Sequence, residues 1–220
     1  MAVNAAHPGF DPNCTQCSRL KGYLSDIRQQ YPEYHAAPVA PFGSRHCDLL
    51  VVGLAPGLHG ANASGRPFTG DHAGIILYQT LYKHGFSNKP ESKHVNDGLK
   101  LKNCRITNAV KCVPPQNKPT TAEIHLCNAY LQQELRQLKK GSVIICLGGI
   151  SHRAVIRALG LKAADLPFVH NAVYHLENGL SLVDSYHCSR YNTQTRRLTA
   201  EMFDQVFVSA KALIAAKTSS

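Results

Sequence analysis

Four short apolar runs rich in β-branched residues recur along the chain, each followed by glycine or polar residues. They predict strands at residues 48–53, 105–108 with Val110, 142–147 and 180–186. Short runs that are apolar throughout are typical of strands buried on both faces of a parallel sheet. Asn178 and Gly179, which come just before the last run, indicate a hairpin turn.

Elsewhere, apolar residues recur every three or four positions, which is the spacing of one helix face. They predict helices at residues 71–84, 120–138, 151–159 and about 199–216. Thr120 and Glu123 have the spacing of a capping box at the start of the second of these helices. Asp71 is predicted to cap the first helix, and Gly85 and Gly160 to end the first and third.

Strands that alternate with helices predict an α/β fold: one domain over residues 1–220, with a central, mostly parallel four-stranded sheet between two helix layers. Residues 87–103, rich in polar residues, are interpreted as an exposed insertion. Parallel sheets bind ligands beyond the carboxyl ends of their strands. The unusual residues of this chain follow the predicted strands there: the loop 53–57, Asn108, Gly148 with Gly149, and His187.

The composition suits a folded protein with a polyanionic partner. Hydrophobic residues make up 44% of the 220 residues and charged ones 17%, which argues against disorder or a coiled coil. The net charge is +10 and the pI about 9.3. No apolar run approaches the roughly 18 residues of a bilayer span, and the first basic residue is Arg19, so we expect a soluble intracellular protein without membrane partners.

The loop at residues 53–57, GLAPG, has the composition of a phosphate loop without its spacing. The G-x4-G-K-[ST] pattern is missing, and Pro56 removes an amide, which argues against a P-loop NTPase. The small residues either form a tight turn or let a flat ligand approach the backbone. Asp71 is either a simple helix cap or a carboxylate that holds a water for attack.

The polar segment at residues 185–197 contains His187 and three arginines but no acidic residue. Arginines beside Ser, Thr, Asn and Gln donors suit phosphate oxygens, although a solvated surface loop would have the same composition. Tyr191, which lies among these basic residues, could stack on a base or wedge into a duplex.

Eight cysteines are too few for a disulfide scaffold in a chain of this length. Cys14 and Cys17 form a C-x2-C pair, while Cys112 and Cys127 flank the segment that joins the second strand to its helix. Four thiolates suit either zinc or an iron–sulfur cluster. The alternative for Cys127 is a small buried apolar side chain on its helix face.

Several motifs occur in one order along most of the chain: GLAPG at 53–57, HGAN at 59–62, GRPFTGD at 65–71, TNAVKCVPP at 107–115 and HCSRYNTQTRRLT at 187–199. Together with Cys14, Cys17 and Cys127, they resemble the iron–sulfur branch of the uracil-DNA glycosylase superfamily, and in particular its type B (family 5) bacterial and archaeal enzymes. Leu54 stands where the type A branch usually has glutamate, which supports the type B resemblance.

The resemblance implies an α/β/α fold and a monofunctional repair enzyme that flips uracil, and other deaminated bases, out of DNA and hydrolyses the N-glycosidic bond. Asp71, His187 and Asn108 would be its catalytic residues, with Phe68 stacked on the base, Asn108 reading the base edge and His187 bonded to a base carbonyl. The other implied base contacts are Gly53, Ala55 and Gly57. The implied DNA contacts are Ser189, Arg190, Tyr191, Arg196 and Arg197.

The same resemblance implies a structural 4Fe-4S cluster on Cys14, Cys17, Cys112 and Cys127, with residues 1–47 as a cluster-binding segment packed on the domain. It also implies a cytoplasmic, nucleoid-associated monomer whose partner is uracil-containing DNA. Two positions depart from the family pattern: Cys188 replaces the usual proline, and Gly57 stands where type B often has alanine. A non-catalytic nucleic-acid binder of the same fold and a small zinc protein are the alternatives.

Overall fold

A computed structural model describes residues 9–218 of the chain, with side chains through residue 216. Within this range the strands are β1 (Phe42–Gly43), β2 (Leu49–Gly53), β3 (Cys104–Asn108), β4 (Val143–Leu147), β5 (Val173–His175) and β6 (Ser181–Ser185). They form one sheet in the order β1-β3-β2-β4-β6-β5. The four central strands are parallel, and β1 and β5 are antiparallel edges.

The helices of the same range alternate with these strands. They are α1 (Ser18–Gln30), α2 (Ala61–Ser64), α3 (His72–Lys83), α4 (Thr121–Arg136), α5 (Gly149–Ala158), α6 (Arg190–Gln194) and α7 (Ala200–Thr218). No helix in the described part of the chain has the length and hydropathy needed to cross a membrane.

Each face of the sheet has its own apolar core, because successive side chains of a strand point to opposite faces. On one face, Val51 and Ile145 pack with side chains of α3 and α7, such as Leu77 and Phe203. On the other face, alternate residues of the same strands pack with α4 and α5. The predicted three-layer α/β/α fold with a central, mostly parallel sheet is therefore confirmed.

The four predicted strands are the four parallel ones, each within one or two residues of its predicted bounds. The interpretation of residues 48–53 as the first strand is wrong, because the two-residue β1 precedes it. The hairpin turn at Asn178 and Gly179 is confirmed, and its first arm is the short edge strand β5. The sheet therefore has six strands rather than four.

The four predicted helices form, with local differences, whereas α1 and α2 were not predicted. Both halves of the capping box between Thr120 and Glu123 form, as predicted. Helix α5 begins at Gly149, two residues before its predicted start. The polar segment at 185–197, interpreted as a loop, contains the short helix α6, in which the amide of Asn192 donates to the Ser189 hydroxyl. Asp71 occupies the N-cap position of α3, but its side chain accepts no bond from that helix.

The insertion predicted at residues 87–103 is pinned to the rest of the fold. Its ends meet at an isolated bridge between Ser87 and Leu101. A buried ion pair of 2.9 Å joins Asp97 within it to Arg66, and Arg66 also bonds Ser92. Helix α1 packs separately, against the segment that follows β3. These contacts hold the insertion against the segment that contains Arg66.

Candidate functional site

The ends of β2, β3 and β6 open into a cavity of about 410 Å³ at the carboxyl edge of the sheet. Its lining consists of Leu54, Ala55, Gly57, Phe68, Asp71, His72, Ala73, Asn108, Asn117, His187, Ser189, Arg190 and Tyr191. Most of the predicted catalytic, base-binding and DNA-binding residues thus line one cavity. Arg197 lies instead at a neighbouring cavity of about 230 Å³ that also includes Gly148 and Gly149.

Gly53, the last residue of β2, allows two larger side chains to meet above it. A Cβ at this position would lie 2.4 Å from Oδ1 of Asn108 and 2.6 Å from Cζ of Phe68. Oδ1 of Asn108 is buried and has no hydrogen-bond partner among the described residues. A buried polar atom without a partner is costly, so this amide is suited to a ligand that supplies the missing bond.

The backbone of Phe68 has a conformation that residues other than glycine rarely adopt. Its φ is +59°, in the left-handed region. The hydroxyl of Tyr78, which is buried in the core, donates to the carbonyl of Pro67 at 2.7 Å, and a Cβ at Gly74 would lie 1.8 Å from the carbonyl oxygen of Phe68. These contacts fix the ring 6.4 Å from that of His187, at an interplanar angle of 27°.

The Asp71 carboxylate lies against the backbone of the loop that follows β2. Its Oδ2 accepts a hydrogen bond from the amide of Ala61 at 3.0 Å. Glycine leaves the room, since a Cβ at Gly57 or Gly60 would lie 2.2 or 2.0 Å from Oδ1. Burial raises the pKa of Asp71, and the amides of Ala61 and Gly57 oppose that rise.

A methyl group at residue 60 should displace this carboxylate. We expect Gly60→Ala to lower the activity of the cavity by about 10- to 100-fold, because a displacement of about 1 Å in a reacting group has effects of that order. Gly22→Ala is the matched control: it lies in α1 with nothing within 4 Å of the new Cβ. The control should keep full activity and gain about 0.5–1 kcal/mol of unfolding free energy. Unchanged activity of Gly60→Ala would show that the carboxylate position is immaterial.

His187 follows β6 and enters the cavity as an uncharged ring. Burial lowers its pKa to about 4. Its backbone carbonyl accepts a bond from Nδ2 of Asn192 at 2.8 Å, and the Cβ of His187 lies against Gly148, whose φ is +95°. Among the described residues, no hydrogen bond to either ring nitrogen is found. The neutral imidazole can therefore donate one hydrogen bond to a ligand.

The arginine-containing segment lies at the mouth of the cavity. Tyr191 on α6 is 71% exposed. The exposed Arg196 has a φ of +56°, and the guanidinium of Arg197 lies 4.8 Å from the centre of the Tyr186 ring. Arg190 lines the cavity itself. This edge thus has cations and an exposed ring beside the buried site.

Four residues of the cavity were not predicted as site residues: Leu54, His72, Ala73 and Asn117. Two of them are polar. His72 bonds Oγ1 of Thr193 at 3.1 Å, which ties the start of α3 to α6. Asn117 lies in a turn after β3 with a φ of +57° and reaches the rim. The position of His72 directly after Asp71 was the available signal for the first, whereas nothing in the sequence placed Asn117 near the others.

The four predicted ligand thiols line a second, smaller cavity between α1 and α4. Cys14, Cys17, Cys112 and Cys127 all contribute to it. In the part of the chain that the structure describes, all cysteines are free and no three His, Cys, Asp or Glu residues are arranged to hold a metal ion. Four thiols at one cavity are a donor set that suits zinc or an iron–sulfur cluster.

The electrostatics of these thiols agree with their proximity. Burial, and after it the neighbouring thiols, raises the pKa of Cys112 to about 12. The pKa of Cys17 is raised to about 11, again mainly by burial and then by Cys127. A bound metal ion would oppose this rise in pKa and favour the thiolate forms.

Comparisons with known proteins agree with this geometry. The family model described as the uracil DNA glycosylase superfamily matches residues 40–211. The chain is 43% identical to a type-5 uracil-DNA glycosylase of Thermus thermophilus over 205 residues, covering 91% of this chain and 93% of that protein. It is 40% identical to one of Mycobacterium leprae, covering 91% of each chain. A type-4 uracil-DNA glycosylase of Pyrobaculum aerophilum is 33% identical over 74% of this chain and 69% of its own.

Proposed function

Because the chain belongs to the uracil-DNA glycosylase superfamily, we propose that it excises uracil from DNA by hydrolysing the N-glycosidic bond. The products are free uracil and an abasic site. The observation that carries this proposal is one cavity lined by the Asp71 carboxylate, the His187 imidazole and the Asn108 amide. The type-5 relatives, which bear the name of this activity, cover most of the chain and support it.

Recognition of the base rests on Phe68 and Asn108. Phe68 offers a ring face for stacking, and the unpartnered Oδ1 of Asn108 accepts the N3–H of uracil. The amide nitrogen of Asn108 then donates to the adjacent carbonyl oxygen of the base. Cytosine presents the reverse pattern on this edge, so a fixed amide favours uracil.

Bond cleavage needs charge of both signs to be stabilised. As the C1′–N1 bond breaks, the sugar becomes cationic and the electron pair leaves with the base. Ionised Asp71 stabilises the cation and accepts the proton of the attacking water, whose oxygen bonds to C1′. Neutral His187 donates a hydrogen bond to the carbonyl oxygen where the negative charge of the base develops.

The target base lies inside a duplex and must be extruded, at a cost of a few kcal/mol. Ser189 and Arg190 line the cavity, and Arg197 lines the neighbouring one. Together with the exposed Arg196, which precedes Arg197 in the chain, they can bind phosphates of the bent DNA strand. The exposed Tyr191 is the ring best placed to enter the gap left by the flipped base.

Removal of two of these cations should weaken DNA binding without regard to sequence. For Arg190→Gln with Arg196→Gln, we expect the slope of log affinity against log salt to flatten by about 0.9 for each lost phosphate contact. The matched control is Arg157→Gln with Lys162→Gln. Arg157 lies at the far end of α5 and Lys162 four residues after that helix, at the opposite edge of the sheet. Equal slopes for both pairs would exclude the proposed DNA contact.

We also propose that Cys14, Cys17, Cys112 and Cys127 bind a 4Fe-4S cluster. The convergence of four free thiols on one cavity supports this assignment. When bound, the cluster has a structural role: it joins the segment before α1 to the segment after β3, next to the cavity that holds Asn108. No step of base release passes through it.

The cluster proposal predicts a brown protein after anaerobic purification. Cys112→Ala should lose most of its iron and its visible absorption, because one thiolate ligand is removed. Cys146→Ala, a buried cysteine of β4 outside the thiol cavity, should keep both. A colourless protein that contains zinc, or a Cys112→Ala variant with unchanged iron, would refute the assignment.

The function itself is tested by base release from a panel of duplexes. Each contains one uracil, hypoxanthine, xanthine or thymine opposite a fixed partner. Release of uracil with formation of abasic sites is the expected result, and hypoxanthine release would extend it to other deaminated bases. Tight binding to the uracil duplex without release would support the alternative of a non-catalytic binder.

A further inference from the structure

Lys111, three residues after Asn108, is buried although its side chain is charged. Only 1% of the residue is exposed, and all three protons of its ammonium group have acceptors. They are Oε1 of Glu134 at 2.6 Å, Oγ1 of Thr107 at 2.5 Å and the backbone carbonyl of Asn108 at 2.8 Å. A lysine is rarely buried so completely unless it is paired.

Glu134, in the last turn of α4, supplies the opposite charge. It is 7% exposed, and its Oε1 also accepts the hydroxyl proton of Thr107 at 3.0 Å. Its other oxygen, which makes no hydrogen bond within the described residues, lies 3.5 Å from Nε of Arg105, a buried cation on β3. The result is a buried network that fastens the end of β3 and the segment after it to α4.

This network acts on the residue proposed to read the base. The amides of Ala109 and Val110 bond to the carbonyls of Gly53 and Leu54, which holds the chain after Asn108 alongside the end of β2. The backbone bends at residues 109–112. At that bend the ammonium of Lys111 holds the carbonyl of Asn108, while the side-chain Oδ1 of Asn108 lacks a partner. Asn108 is therefore held through its backbone carbonyl, while its side-chain amide is left available to a ligand.

We propose that the buried Lys111–Glu134 pair is a positioning device for Asn108, and that it sets the orientation in which the amide meets the base. This inference rests on the proposed function. A hydrophobic pair would fill the same space with less desolvation, so stability alone gives little reason for an ion pair here. A bond from the ammonium to the Asn108 carbonyl gives a specific reason.

The test is a double-mutant cycle with Asn108. Lys111→Met with Glu134→Gln removes both charges of this pair together, and the glutamine oxygen remains as an acceptor beside the Arg105 guanidinium. We expect kcat/KM on a uracil duplex to fall by about 10- to 100-fold, with the loss mainly in kcat, since a displaced amide misaligns the bound base. In an Asn108→Ala background, the same paired change should cost almost nothing, because the residue through which it acts is gone.

Thr107→Val provides a milder variant with nearly the same shape. It removes only the hydroxyl that bridges Lys111 and Glu134. The decrease in kcat/KM that it causes should likewise vanish in the Asn108→Ala background. Lys139→Met, which removes an exposed lysine paired with Asp48, controls for the loss of a lysine and should leave kcat unchanged. Melting temperature and the visible spectrum report whether each variant is folded.

The outcomes separate this inference from the proposed function. The positioning role would be overturned if kcat/KM fell equally in the wild-type and Asn108→Ala backgrounds, or if it fell for neither variant, while the wild-type chain still releases uracil. A wild-type chain that releases no uracil would instead overturn the proposed function.

Discussion

Asp71→Asn is expected to slow uracil release by about 10²- to 10⁴-fold, the range typical of a general base. The amide keeps the size of the carboxylate and can still accept the bond from Ala61, so the fold should be retained. What disappears is the negative charge that stabilises the cationic sugar and the group that accepts the proton of water. Single-turnover release of uracil from a duplex measures this step directly.

The pH dependence distinguishes this role from a structural one. Burial raises the pKa of Asp71, and only the ionised carboxylate can act as the base. Activity should therefore fall as the pH drops through this raised pKa, and recover as the carboxyl group ionises. The Asp71→Asn variant should lack this acidic limb. Asp26→Asn, on the exposed face of α1, should keep both the wild-type rate and its pH profile.

Retention of the wild-type rate in Asp71→Asn would remove the carboxylate from the mechanism. The close contacts of Gly57 and Gly60 with Asp71 would then serve only to pack the loop after β2.

His187→Ala should slow release by about 10²- to 10³-fold, the usual cost of losing one donor to a developing negative charge. Since burial lowers the pKa of His187 to about 4, the ring is neutral from pH 5 to 8. It therefore adds no titration of its own over that range, and the variant should keep the acidic limb that Asp71 causes. Single-turnover release between pH 5 and 8 measures both quantities.

A loss that grows steeply as the pH falls from 8 to 5 would contradict the neutral donor, because it would indicate a protonated imidazole in the wild-type site. His175→Ala is the matched control. His175 lies on the exposed edge strand β5, and its removal should leave the rate of release unchanged.

The central sheet could be predicted because its strands are buried on both faces. Buried parallel strands read as continuous apolar runs, and all four were found in this way. The edge strands lack that signal: β1 has two residues, and β5 has exposed residues at both ends. A short strand that pairs on one side needs little hydrophobicity, so its pairing could not be predicted from the chain alone.

The residues that line the cavity could largely be predicted from strand ends and motifs, but their arrangement within it could not. The sequence indicated that Asp71, Asn108 and His187 meet, and the structure brings them to one cavity. Asp71 was predicted to cap α3, whereas its carboxylate bonds Ala61 across the loop. That contact depends on glycines whose missing Cβ atoms matter only in three dimensions.

The Lys111 network shows the same limit more strongly. In the sequence, Lys111 stands between two motif residues and resembles any solvent-exposed lysine. Its burial arises because α4 crosses the end of β3 and brings Glu134 to within 2.6 Å of its ammonium nitrogen. A contact across 23 residues has no local signal, since both residue types are ordinary at the surface of a helix or turn.

The most direct measurement of the central claim is the yield of free uracil and of abasic sites when the purified chain acts on a duplex with one uracil. The cavity of Asp71, Asn108 and His187 predicts equal molar amounts of both products. It also predicts that Asp71→Asn binds the duplex with unchanged affinity but releases uracil at least about a hundredfold more slowly. Binding without release by the wild-type chain, or equal rates for the two proteins, would contradict the account.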